Sequence, residues 1–251
     1  MTDLLPPRVP AGSLTLPEPR NADVLRWSRF LAATDAEGPG TRAAVWVQGC
    51  SVKCPGCFNP HLWSVNGGQD DDPSELAERW VTEARAAGSE GITLLGGEPF
   101  DQAAAMAVIA QAFRDADLTV MTFTGYRLDQ LRTWGAERVD IRKLLEATDL
   151  LADGPYLSDQ PERFRPWIGS TNQGLTALTP AYAETIESIS LLGGRDRLEI
   201  RIGRDGTVAV NGWADDEALE ILLGDLGARV DRPSQTRAPR VTNNSVLKEI
   251  A

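Results

Sequence analysis

Four short apolar runs, each cut off by a glycine-bearing polar loop, set the strongest limit on what this chain can fold into. They are residues 43–48, 91–95, 118–124 and 150–152. The first stops at Gly49, the second at Gly96-Gly97-Glu98-Pro99, the third at Gly125-Tyr126 and the fourth at Asp153-Gly154-Pro155. Helix-like stretches separate them. Asp72-Pro73-Ser74-Glu75 opens one that runs to about residue 87, with proline early in the first turn and acids beside it. Residues 101–116 carry Met106, Ile109, Ala110 and Phe113 on one face, and residues 128–134 and 140–147 supply two shorter helices. Strands alternating with helices imply a parallel sheet with right-handed crossovers. The expected fold class is α/β, a partial (β/α) barrel of parallel strands with a small C-terminal β-hairpin and helix. In such folds ligands gather at the carboxyl ends of the strands, so the four loops are expected to line one mouth.

The loop after the first strand holds every cysteine of the chain. Cys50, Cys54 and Cys57 fall within eight residues at C-x3-C-x2-C spacing, with Pro55 and Gly56 turning the backbone between the last two. An odd, tightly spaced set is a poor disulfide framework and suits a reducing compartment. Two metal centres compete for it. A cubane iron–sulfur cluster normally takes four thiolates, and here one iron would lack a cysteine. A closed Cys3His zinc site would recruit His61, the only histidine. The spacing leaves both open, along with His61 as a plain loop residue.

The remaining segments are simpler. Residues 1–22 contain Pro6, Pro7, Pro10, Pro17 and Pro19 and read as an extended arm. A short helix is expected over residues 24–33. Near the C-terminus Leu198, Ile200 and Ile202 alternate with Glu199 and Arg201, as on a half-exposed strand. Asp205-Gly206 offers a hairpin turn, and Val208 and Val210 continue the second arm. Residues 214–227 form an amphipathic pattern with Leu219, Leu222, Leu223 and Leu226. This divides the chain into an arm (1–22), a core (23–184), a hairpin and helix (185–231) and a polar tail (232–251).

With 25 Lys and Arg against 36 Asp and Glu, the formal charge of −11 argues against a nucleic-acid or anionic-membrane surface. No apolar run approaches the roughly 18–20 residues that a membrane span needs. The N-terminus lacks the basic-then-apolar pattern of a secretory signal, so the expected location is the cytoplasm.

Taken together, Glu37-Gly38-Pro39-Gly40-Thr41-Arg42 and Cys50-Ser51-Val52-Lys53-Cys54-Pro55-Gly56-Cys57-Phe58-Asn59-Pro60 resemble the radical S-adenosylmethionine (radical SAM) superfamily. Within it the resemblance is to glycyl-radical-enzyme activases, in particular the activating proteins of anaerobic ribonucleotide reductases. Gly96-Gly97-Glu98-Pro99, Thr124-Gly125-Tyr126, Asp153-Gly154 and Gly169-Ser170-Thr171-Asn172-Gln173 follow in that family's order. The similarity covers roughly residues 24–178 and leaves 185–251 unexplained. It implies a [4Fe-4S] cluster on Cys50, Cys54 and Cys57, whose fourth iron takes the amino and carboxylate groups of SAM. His61 then lies beside the cluster loop.

The resemblance also gives roles to the other loops. Gly96 and Gly97 let backbone approach the methionyl group, and Glu98 with nearby carbonyls accepts from its ammonium. The plainer role for Glu98 is an acid in the first turn of a helix. Thr124 and Tyr126 are expected to face SAM or the cluster, with packing as the alternative for Tyr126. Asp153 contacts SAM or substrate, or caps a loop. Asn172 and Gln173 bind SAM or order their loop. Arg42 meets a carboxylate or pairs on the surface. Trp46, Phe58 and Trp63 shield the cluster or fill core.

The implied activity is that of an oxidoreductase. SAM is reductively cleaved to methionine and a 5′-deoxyadenosyl radical, which takes hydrogen from a glycine of a partner glycyl radical enzyme. A flavodoxin- or ferredoxin-type protein would supply the electron. Two other readings stay open: a radical SAM enzyme acting on a peptide or small metabolite, and a non-catalytic metal-binding module.

Overall fold

The computed structural model describes residues 15–202 and 208–212. The expected helix at 214–227, the turn at 205–206, the tail and most of the N-terminal arm lie outside the described residues.

A seven-stranded sheet forms the body, in the order β3-β1-β2-β4-β5-β6-β7. Its centre is β2 (Arg42–Val47), β4 (Gly91–Gly96), β5 (Thr119–Phe123) and β6 (Leu150–Asp153), each parallel to the next. These are the four apolar runs, and burial on both faces is what their unbroken hydrophobicity encodes. β1 (Leu25–Thr34) and β3 (Gln69–Asp71) add on antiparallel at one side, and β7 (Gly174–Ala177) does so at the other. The sheet is open, with β3 and β7 at its ends.

Residues 24–33 do not form the expected helix. Leu25–Thr34 pairs with β2 from Trp27↔Val47 to Thr34↔Arg42 and with β3 at Leu25↔Asp71. The ladder on both edges outweighs the helical look of Leu31-Ala32-Ala33, because strand propensity is a matter of what the pleat packs against. Two register shifts, at Trp27/Arg29 and Leu31/Thr34, also break the period-2 pattern that would have announced a strand.

Helices α1 (Pro73–Ala86), α2 (Ala103–Asp115), α3 (Leu128–Glu137) and α4 (Val139–Ala147) cover one face. Asp72 starts α1 by accepting Ser74 N–H at 2.7 Å and Glu75 N–H at 3.1 Å. The largest core joins Val45, Val47, Ile92, Leu94 and Val120 of the sheet to Trp80, Met106, Ile109, Phe113 and Leu144 of these helices. The other face of the sheet presents Trp46, Leu95, Met121 and Ala152. It is covered by Leu62, by Ile168 and by Tyr182, the last just before α5 (Ala183–Leu192). That helix runs through the expected boundary at residue 184.

β8 (Leu198–Ile202) and β9 (Val208–Gly212) pair antiparallel as a separate two-stranded sheet, from Leu198↔Gly212 to Ile202↔Val208. Glu199 accepts from the Thr34 hydroxyl, Asn211 Nδ2 donates to Thr34 Oγ1 at 2.8 Å, and Arg201 donates to the Ala33 carbonyl. The hairpin is thereby fastened to the end of β1. No helix among the described residues is long and apolar enough to cross a membrane.

Candidate functional site

The cysteine loop leaves the end of β2 and returns beside it. Gly49 N–H donates to Leu62 O (2.8 Å), and Cys50 N–H donates to Trp63 O (3.2 Å). Gln48 braces the returning segment, its Nε2 donating to the carbonyls of His61 (3.2 Å) and Ser64 (2.7 Å). Inside the loop Cys57 N–H donates to Cys54 O, and Gly56 takes φ +87°, a backbone region that costs glycine nothing. The short connection closes the chain on itself beside the end of β2.

Cys50, Cys54 and Cys57 are free and half-buried. Lys53 N–H donates to Cys50 Sγ at 3.5 Å and Asn59 N–H donates to Cys57 Sγ at 3.4 Å. Burial, with the buried Glu98 next, pushes the Cys50 thiol up to about 12. Burial likewise raises Cys54 to about 11. Both shifts favour the protonated thiol, so a metal that binds Cys50 and Cys54 displaces their protons.

Among the described residues no group of three or more His, Cys, Asp or Glu side chains converges as a single metal ion would require. The exposed His61 does not complete a tetrahedron with the cysteines. The donor set suits a cubane better. Its irons occupy separate corners and want thiolates spread apart, and backbone N–H groups already point at two of the sulfurs. Three thiols without a fourth leave one corner free for another ligand.

The neighbouring strand-end loops are built against this one. Gly97 N–H donates to Val47 O at 2.8 Å and Glu98 N–H donates to Gly49 O at 3.0 Å, extending the β2–β4 ladder past the strands. A Cβ at Gly97 would run into the Gly49 carbonyl, so only glycine permits this approach. A Cβ at Gly125 would press on the Val52 side chain at 2.8 Å, which puts the end of β5 over the cysteine loop too. Tyr156, from the loop after β6, stands 5.0 Å from the Phe58 ring.

Glu98 is fully buried, and its carboxylate is held by the protein. Oε1 accepts from Phe100 N–H and the Thr124 hydroxyl, both at 2.9 Å, and Oε2 accepts from Gly125 N–H at 2.8 Å. Burial first, and then Asp101 nearby, raise its pKa well above the carboxylate range. Thr124 is buried with its hydroxyl on Glu98, and it also accepts from Tyr126 N–H at 3.1 Å. The Tyr126 ring is buried edge-on against Trp134, and its hydroxyl meets Asp101 Oδ1 at 2.8 Å.

Asp153 Oδ2 accepts from Leu128 N–H at 2.9 Å, at the start of α3. Asn172 Nδ2 donates to Pro155 O at 2.8 Å, and Gln173 ties Gly154 to Gly169 and Ser170. Each of these side chains orders a loop of the mouth. Phe58 and Trp63 lie in and beside the cysteine loop, while Trp46 is core under Leu62 with the Arg29 guanidinium 4.9 Å above its ring.

Arg42 meets no carboxylate and does not lie on the surface. It is fully buried at the opposite end of the sheet. Its guanidinium donates to Thr93 Oγ1, Thr119 Oγ1, the carbonyls of Ile92 and Thr119, and Tyr182 Oη at 2.5 Å.

Asp101 escaped the sequence reading, where it was only the first residue of a helix. It sits in the 3-10 turn Pro99–Gln102, 3% exposed, with Oδ2 accepting Ser51 N–H at 2.7 Å and Oδ1 accepting the Ser51 hydroxyl at 2.8 Å. Its side chain points sideways to the cysteine loop, and no local sequence signal marks that. Arg20, Lys53, Cys50, Ser51 and Trp63 line a cleft of about 380 Å³ beside it.

Residues 36–176 match the family described as 4Fe-4S single cluster domain. The chain is 31% identical over 163 residues to an anaerobic ribonucleoside-triphosphate reductase-activating protein of Vibrio cholerae, covering 62% of this chain and 99% of the relative. Proteins of the same name in Salmonella typhimurium and Escherichia coli are 29% and 28% identical, each over 59% of this chain and 96% of theirs.

Proposed function

The chain belongs to the 4Fe-4S single cluster domain family, and on that premise we propose that it is a radical SAM activating enzyme whose substrate is a glycyl radical enzyme of the anaerobic ribonucleotide reductase kind. The observation that carries the proposal is the loop of three free cysteines closed onto the end of β2, with Gly96, Gly97 and Glu98 packed against it. In this reading Cys50, Cys54 and Cys57 hold the cluster, and SAM occupies the open corner. Bound there, the pair supplies a one-electron cleavage of the sulfonium and a radical that takes hydrogen from a glycine of the partner.

The protein's own part is to place and to enclose. Gly96 and Gly97 let the end of β4 lie against β2 and the cysteine loop, and their carbonyls would accept from the ammonium of the methionyl group. Glu98 ties that end of β4 to Thr124 and Gly125 through the bonds its carboxyl oxygens accept. Tyr126, Asp153 and Asn172 shape the rim by holding Ser51, α3 and Pro155. Phe58 and Tyr156 keep water from one side of the loop. The sheet then acts as an incomplete barrel, with its substrate mouth at the carboxyl ends of β2, β4, β5 and β6.

The electron donor in this reading is a flavodoxin- or ferredoxin-type protein. The setting is the cytoplasm, where three unpaired cysteines stay reduced. The core reaches to about residue 184, where the helix Ala183–Leu192 carries the chain on into residues 185–231. That addition lies beyond the family match, and it favours one second reading, in which the hydrogen comes from a peptide or metabolite.

The test is anaerobic. Wild-type protein takes up iron and sulfide and produces 5′-deoxyadenosine from SAM under strong reductant. Cys50→Ala, Cys54→Ala and Cys57→Ala each abolish both. Normal deoxyadenosine formation by any of the three variants overturns the assignment. A glycyl radical signal on adding the reductase subunit separates the first reading from the second.

A further inference from the structure

We propose that Asp101 is a positioning residue that holds the cysteine loop in its cluster-binding shape. The inference rests on the reading that Cys50, Cys54 and Cys57 bind the cluster.

Asp101 reaches the loop at Ser51, the residue after Cys50. It takes both of that residue's donors, the N–H at 2.7 Å and the hydroxyl at 2.8 Å. The same carboxylate accepts from the Tyr126 hydroxyl at 2.8 Å, and Tyr126 Oη lies 2.6 Å from Ser51 Oγ. Arg20, from the N-terminal segment, stands 3.8 Å from Oδ2. One acceptor-only group therefore gathers three segments: the cysteine loop, the end of β5 and the chain ahead of β1. Asp101 and Tyr126 are buried and Arg20 half-buried, while Ser51 is exposed, so the loop is gripped from its buried side, where such bonds are strong and a missing partner is costly.

The turn that carries Asp101 also carries Glu98, and the two acids divide their work. Glu98 serves Thr124 and Gly125, and Asp101 serves Ser51 and Tyr126. With Asp101 in place, the Cys50 end of the loop has its direction fixed from outside the loop. Without it, Ser51 N–H loses its partner and Cys50 is free to turn with it. Groups that orient metal ligands typically change metal affinity by about 10- to 100-fold when altered.

Asp101→Asn tests this with little change of volume. The amide keeps one acceptor oxygen for Ser51 N–H but turns an NH2 toward the Ser51 and Tyr126 hydroxyls, so neither can go on donating at that position and the charge that drew both is gone. Tyr126→Phe removes one hydroxyl and keeps the ring on Trp134. The variants and wild type are reconstituted anaerobically. Three things are measured: iron and sulfide per chain, the rate of iron loss to a chelator, and the electron paramagnetic resonance spectrum of the reduced cluster. Wild type is expected to take up the cluster. Asp101→Asn is expected to lose iron about 10- to 100-fold faster, with altered g values. Tyr126→Phe moves the same way by less, and the double variant is no worse than Asp101→Asn alone.

Unchanged iron loss and spectrum in Asp101→Asn overturn the proposal, as do additive effects in the double variant. If Asp101→Asn shows no cooperative unfolding transition, Tyr126→Phe decides, and wild-type behaviour there overturns it. Wild type that takes up no iron overturns the cluster assignment itself, a failure visible before any variant is compared.

Discussion

The carboxylate of Glu98, at the end of β4, accepts the backbone N–H of Gly125, at the end of β5, across 2.8 Å in a fully buried setting. A charge there is uncomfortable: burial, then Asp101, favours the protonated form. The native state thus holds this proton more tightly than the unfolded chain does. Its contribution to stability is greatest in acid and is lost as pH rises from the ordinary carboxylate range through the raised native value. Glu37, pushed up to about 7 by burial, adds a slope of the same sign. We expect the cluster-free protein to unfold at lower urea at about pH 8 than at about pH 6. Glu98→Gln should show a flatter dependence, with Glu37 among the groups that set the remainder. Urea midpoints across that range check it, and parallel curves for the two proteins would count against it.

Arg42 concerns stability rather than the mouth. Its guanidinium spreads donors over β4, β5 and Tyr182 at once, which the single point of a lysine ammonium cannot do. Arg42→Lys strands at least one buried acceptor and is expected to cost about 2 kcal/mol or more. Chemical denaturation reads this directly, and a loss below about 0.5 kcal/mol would contradict the role.

Asp153 separates capping from ligand contact. Asp153→Ala removes the acceptor for Leu128 N–H and should cost about 1 kcal/mol, whereas Asp153→Asn, an equally good cap, should recover most of it. SAM cleavage is measured alongside. A drop in cleavage in Asp153→Asn with stability retained would move Asp153 from the rim to direct contact.

How much of this was legible in the sequence differs from residue to residue. The central strands were plain, because a strand buried on both faces reads as an unbroken apolar run ended by glycine. Leu25–Thr34 was not, since what makes it a strand is the pairing of β2 and β3 on either side of it. The four residues of β7 were missed for a similar reason: Gly174–Ala177 has no pattern of its own and pairs only because β6 offers an edge. The cysteines and Gly96-Gly97-Glu98 could be picked out by spacing and by the family's order of blocks. Asp101 could not, because its function depends on where the side chain of a turn points, 50 residues away in sequence from Ser51.

The two rims of the sheet carry a consequence for how the protein behaves when concentrated. One ends in the three-residue Gln69–Asp71 with two carboxylates, the other in the four-residue Gly174–Ala177. Neither of these two strands offers a long, flat, apolar ribbon for a neighbouring backbone to zip onto, and past Trp27, where β3 stops, the far end of β1 is tied to the hairpin through Ala33 and Thr34. Crowded preparations of this chain should resist fibrous stacking along those margins even before any partner covers them.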